Sequence, residues 1–175
     1  MSDAIARSFL EESRAFLARE YLPKIRVAIA ALDDEAIWWR ANAPSNSIGN
    51  LMLHLSGNAR QWIVCGIGGA DDTRVRLTEF TRRDGIPRDE LLATLSRTLE
   101  EVDEVLARVT PEQLLEPRTI QGRAVTVLEA IYHVVEHFST HTGQIILLAK
   151  MHAAGVRFYD DSTGDAKPLW PQARR

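Results

Sequence analysis

The stretch Glu129-Ala-Ile-Tyr-His133-Val-Val-Glu-His137-Phe-Ser-Thr-His141-Thr-Gly-Gln144 decides how the chain is read. The protein has only five histidines, and three of them stand here at i, i+4 and i+8. On an α-helix these positions share one face, one turn apart. Imidazoles at i and i+4 can both reach a single metal ion. The helix is well bounded in sequence. Thr126-Val-Leu-Glu129 is a capping box, and Gly155 is a fitting stop. Val127, Ile131, Val134, Phe138, Ile145 and Leu148 form one apolar stripe between them. At about 100° per residue His141 falls nearest the centre of that stripe, His137 at its edge and His133 beyond it. His137 and His141 are therefore the better ligand pair, and His133 is a supporting or surface group. Taken singly, each is more simply an ordinary core or surface histidine.

Working outward, the sequence predicts a first helix over residues 3–32, with Ile5, Phe9, Phe16, Ile25, Ile29 and Leu32 on its apolar face. Pro23 predicts a kink or a break after Leu22. Asp33-Asp34-Glu35 opens a connection that carries Trp38 and Trp39, two tryptophans that could line a pocket but read better as lids packed over a bundle end. Ala43-Pro-Ser-Asn-Ser47 is a breaker followed by an N-cap, and a second helix runs from Ile48 to about Gly66. His54 lies on it with Leu51, Leu55 and Trp62. Asn50 and Asn58 stand one turn to either side, a polar patch in an apolar helix whose amides need partners. Gly57 allows a close approach by another group.

Residues 68–87 read as a loop holding Arg74, Arg76, Glu79, Phe80, Arg82 and Arg83. Gly68-Gly69 follows no strand, which argues against a phosphate loop. Arg74 and Arg76 are candidates for holding an anionic substrate; Arg82 and Arg83 read as solvated charges. A third helix spans about 87–109, with Leu91, Leu95, Leu99, Val102 and Leu106 as its core stripe. Thr110-Pro-Glu-Gln113 is a second capping box before a short helical turn, and residues 118–125 alternate around Gln121-Gly122 as a small hairpin. Phe158 and Tyr159 follow the last helix, and then a loose segment that ends in Lys167-Pro-Leu-Trp-Pro-Gln-Ala-Arg-Arg, its last residues ordered only if Trp170 docks.

The whole is one all-α domain over residues 1–160, a four-helix bundle with a short extra helix or hairpin in its connections, followed by a tail over 161–175. Hydrophobic content of 45% and charged content of 26% are those of a globular protein. A net charge of -3 gives no footprint for nucleic acid. No apolar run approaches the ~20 residues that span a bilayer, and residues 1–7 lack a signal-peptide core. A single cysteine, Cys65, fits a reducing cytoplasm and reads as a small buried hydrophobe. The large aromatics Trp38, Trp39 and Trp170 in connections predict a homodimer.

Candidate metal ligands are then His54, His137 and His141. Three neutral imidazoles leave a position open for water or substrate, the mark of a catalytic site. Asn50, Asn58, Glu129, Glu136 and Gln144 lie within helical reach and could orient the imidazoles from behind. His133-Val-Val-Glu-His137 also has the H-x-x-E-H spacing of the inverzincin peptidases. Those need a carboxylate ligand well downstream, and here the chain ends soon after the motif.

Asn46-Ser-Ile-Gly-Asn-Leu-Met-Leu-His54-Leu-Ser-Gly-Asn58, followed by His137-Phe-Ser-Thr-His141-Thr-Gly-Gln144-Ile, resembles the DinB/YfiT-like superfamily, and within it a subfamily of unknown function. The resemblance covers nearly the whole chain. It implies a four-helix bundle with a divalent ion on three histidines, here His54, His137 and His141. The extra His133 departs from the simplest family pattern. Some relatives are thiol-dependent transferases or isomerases using bacillithiol or mycothiol. The resemblance thus implies a metalloenzyme that activates a low-molecular-weight thiol for transfer to a small-molecule electrophile. A metal-dependent hydrolase and a non-catalytic metal-binding stress-response protein are the alternatives. Zinc and nickel suit imidazole ligands, and ferrous or manganous ion is compatible.

Overall fold

The computed structural model describes residues 2–162 and 164–170. Its first helical run joins α1 (Ser2–Ala15), a π-helical turn (Phe16–Tyr21) and α2 (Leu22–Ile29). The predicted break at Pro23 is replaced by this wide turn just before it. The Leu22 N–H bonds to the Leu17 carbonyl five residues back, so Pro23, which has no N–H to give, enters at the start of α2. The extra residue also rotates the two halves against each other. Leu10 and Leu17 face the core, while Ile5 and Phe16, which the unbroken periodicity placed inside, are 68% and 42% exposed.

The connection that follows holds α3 (Asp34–Trp38), which the sequence reading left as loop. Asp33 caps it, accepting from the Ala36 amide at 2.9 Å. Ile37 is buried beneath it. The Trp38 ring lies on Gly49, where a Cβ would come within 2.9 Å of it, and the indole N–H donates to the Ile86 carbonyl at 3.0 Å. Trp38 thus packs on a neighbouring helix, and together with Trp39 it also lines a pocket beside residues 83–87.

α4 (Ile48–Ala59) starts at a capping box in which Ser47 and Asn50 bond each other's backbone amides, and it runs on as a π-helical segment (Arg60–Cys65). A second helix missing from the sequence reading, α5 (Arg76–Thr81), sits in the supposed loop. α6 (Arg88–Leu106) buries Leu91, Leu95, Leu99, Val102 and Leu106, as its periodicity predicts. Pro87 is its N-cap rather than its first residue. In the turn after it, the Gln113 side chain bonds back to the Thr110 amide at 2.9 Å, and a 3-10 turn (Glu112–Leu115) follows.

The predicted hairpin is β1 (Pro117–Ile120) paired antiparallel with β2 (Arg123–Thr126). Gln121 and Gly122 both have positive φ, 52° and 72°, the geometry of a type I′ turn. α7 (Val127–His152) begins at the Thr126–Glu129 capping box. It ends before Gly155, whose φ is not positive; the extended Ala153 breaks the helix instead. The segment after it forms a second small hairpin, β3 (Tyr159–Asp160) with β4 (Lys167–Pro168). Trp170 is buried, donating to Glu20 at 3.1 Å with the Lys24 ammonium 4.6 Å above its ring. Residues 171–175, the end of the predicted loose terminus, lie outside the described residues. With Trp38 half-buried and Trp170 buried, Trp39 is the exposed one of the three tryptophans behind the dimer prediction.

The fold is all-α apart from these two hairpins among the described residues. α4 packs against both α6 and α7, and α2 against α7. This brings the middle of α4 beside the middle of α7.

Candidate metal centre

His54 is the seventh residue of α4 and is 5% exposed. His137 and His141 come from α7, one turn apart and half-buried. The α7 stripe extends through Ala130, Thr142 and Ala149 as well as the predicted apolar residues. The longer stripe keeps nearly the same centre, so His141 remains the nearest of the three to it, and both His141 and His137 are partly buried. The Nε2 atom of His137 is 3.0 Å from that of His54 and 3.2 Å from that of His141. One ligand atom from each lies within 4.8 Å of the other two. The three predicted ligands are thus brought together.

The electrostatics suit a cation. Burial pushes the His137 imidazolium down to about 3, helped by His141, His54, His133 and Arg74 nearby. His141 is also lowered, chiefly by burial, against the opposing bond to Gln144. Both rings are neutral at ordinary pH, the form that binds a metal. The Nδ1 atoms behind two ligands are engaged: Gln144 Oε1 lies 2.7 Å from His141 Nδ1, and Glu79 Oε2 2.7 Å from His54 Nδ1. With their protons facing outward, His54 and His141 aim Nε2 lone pairs at His137. A neutral His137 can donate to one of them only. A divalent ion accepts all three, so the donor set fits zinc, nickel or another imidazole-binding metal.

The other predicted residues sort differently. His133 stands outside the trio; its Nε2 accepts from Asn58 at 3.2 Å and its ring packs 4.0 Å from that of Trp62. Burial lowers its pKa too. Asn50 touches no imidazole. It donates to the carbonyls of Glu79 and Arg82 at 2.7 and 3.0 Å, fixing the chain that carries Glu79. Glu129 serves the helix cap, and Glu136 is exposed, accepting from Thr140. That exposure, with His133 outside the cluster, removes the geometry a peptidase would need.

Arg74 and Arg76, paired in the sequence reading, part company. Arg74 is buried and fully engaged, with Nε 2.7 Å from Glu79 Oε1, Nη2 2.8 Å from Glu79 Oε2 and Nη1 2.8 Å from Gln61 Oε1. Arg76 is exposed over the Phe80 ring at 4.8 Å, and that ring lies 4.7 Å from the His54 ring.

Glu79 is the site residue that the sequence reading missed. It is 7% exposed. Burial raises its pKa, but the bonds to Arg74 and His54, with the charge of Arg74, outweigh this and hold the carboxyl below its ordinary value. The available signal was Gly57, read as a point of close approach. A Cβ there would strike the Glu79 carboxylate and the Arg74 guanidinium.

No curated protein matches the chain. A family model covers residues 4–156, from α1 to just past α7 with all three histidines, and the chain belongs to that family, whose description is "Protein of unknown function (DUF1572)".

Proposed function

We propose that the protein is a DinB/YfiT-like four-helix bundle that holds a divalent ion on His54, His137 and His141 and is a metalloenzyme activating a low-molecular-weight thiol for transfer to an electrophile. The observation that carries this is the convergence of three imidazole nitrogens from two helices. A bound ion supplies Lewis acidity, lowering the pKa of a coordinated thiol or water. The chain's own part is to hold three uncharged donors, so that the charge of the ion is not cancelled, and to leave His137 and His141 only partly buried.

The thiol comes from outside. The chain has one cysteine. Burial pushes its thiol pKa up, and its Sγ donates to the Asp71 carbonyl at 3.4 Å. Cys65 is therefore no ready thiolate. A reducing cytoplasm is the setting we propose, since it keeps a small-thiol pool reduced. The exposed Arg76 guanidinium is the candidate for steadying an anionic group of the substrate; Arg74 is occupied with Glu79 and Gln61.

The test is a metal-loaded electrophile panel with bacillithiol, mycothiol or glutathione present or absent. The expected result is thioether formation that requires both metal and thiol. Metal-dependent turnover indifferent to all three thiols contradicts the transferase and identifies a hydrolase. Full metal occupancy with no turnover identifies a binding protein.

A further inference from the structure

α5 is six residues long and has no side-chain cap, yet it is tightly tied to the site. Its Glu79 carboxylate is shared between the Arg74 guanidinium, which it meets through both oxygens, and His54 Nδ1. Its backbone is held from behind by Asn50, and the Arg40 guanidinium donates to the Phe80 carbonyl at 3.0 Å. It lies against α4 at Gly57, where that helix has no side chain. A glycine inside a helix costs stability relative to alanine. Here the missing Cβ makes the room that the carboxylate and guanidinium fill.

The contacts of His54 Nδ1 decide whether that nitrogen carries a proton. Arg74 Nη2 lies 3.1 Å away and Glu79 Oε2 2.7 Å away. A guanidinium only donates and an ionised carboxylate only accepts, so Nδ1 cannot satisfy both. The Glu79 contact is shorter and charge-assisted, and two lone pairs at that distance would repel. Nδ1 therefore carries a proton, and in the neutral ring this leaves the Nε2 lone pair toward His137.

We propose that Glu79 is a positioning residue of the metal centre: clamped by Arg74 in the space left by Gly57, it locks His54 in the Nδ1–H tautomer and so sets the affinity for the ion. Carboxylates behind metal-binding imidazoles fix ring orientation and raise ligand basicity, and losing one lowers metal affinity by about 10- to 100-fold. The proposal rests on the metal-binding reading above, but its first test does not need the metal.

That test is the tautomer of His54, read by nitrogen NMR of the imidazole in metal-free protein. Wild type should show the Nδ1–H form, and Glu79→Ala a shift toward Nε2–H. Glu79→Gln keeps a neutral acceptor and should retain most of the wild-type tautomer. The second test is zinc affinity by competition with a chelator. Glu79→Ala should weaken zinc by about 10- to 100-fold, with Glu79→Gln between it and wild type. Gly57→Ala touches no ligand but displaces the carboxylate, and should weaken zinc in the same direction while leaving the helical circular dichroism intact.

A folded Glu79→Ala protein with the wild-type tautomer and zinc affinity within threefold of wild type overturns the proposal. So does a Gly57→Ala protein with unchanged affinity. Wild-type protein that binds no zinc, nickel, iron or manganese overturns the metal reading instead, and the tautomer result still decides the role of Glu79.

Discussion

α4 and α6 lie against each other, yet they bury different kinds of residue. α6 buries leucines and valines, with Thr98 as its polar exception. α4 buries Asn50, His54, Ser56 and Asn58 among Leu51, Met52 and Leu55. Buried polar groups are costly unless bonded. Asn50 meets that cost with the cap of its own helix and the carbonyls of α5, and His54 with Glu79. Such groups add little stability that apolar packing could not supply. The contrast separates a scaffold helix from a helix that forms the wall of a site.

The largest expected effect on stability lies on the scaffold side. Leu95 is wholly buried, so Leu95→Ala should cost about 2–5 kcal/mol in denaturant unfolding. The folded fraction should bind metal as wild type does. A variant that keeps its stability but loses metal would break the comparison.

Asn50→Ala should act in the opposite sense. It removes half of a capping box and the side-chain donor to the Glu79 carbonyl, for an expected loss of about 1–3 kcal/mol. Because it frees the chain that carries Glu79, zinc affinity should fall as well. Affinity unchanged at reduced stability would make Asn50 a purely structural residue.

A smaller, graded effect comes from acid. His137 titrates at about 3 in the fold against an ordinary 6.5, so between those values the unfolded chain binds the extra proton. Metal-free protein should therefore lose stability as pH falls from about 6.5 toward 3. Glu79, held below its ordinary pKa, adds to the loss only at the acid end of that window. His137→Asn should flatten the decline between pH 7 and 5 in denaturant titrations. Parallel slopes for variant and wild type would contradict this reading of the site side.

The same comparison shows what a sequence makes legible. α6 and α7 could be read because nineteen and twenty-six residues carry several turns of periodicity. The histidine trio could be read because two share one helix at i and i+4, and His54 is the histidine of α4. α3 and α5, with five and six residues, are too short to show a period, so they passed for loop. The π-helical turn before Pro23 was hidden for a related reason. One inserted residue changes which face is inward without changing composition, and Ile5 and Phe16 were misplaced by it. Glu79 was out of reach because its partner His54 is 25 residues away, and only the folded chain brings α5 onto Gly57.

The central claim is that His54 on the polar-lined helix completes a metal site with His137 and His141. The most direct measurement is elemental analysis of natively purified wild type beside the single variants His54→Ala, His137→Ala, His141→Ala and His133→Ala. One equivalent of divalent metal in wild type and His133→Ala, with none held stoichiometrically by the other three, is the expected result. Full occupancy in a folded His54→Ala protein would contradict it.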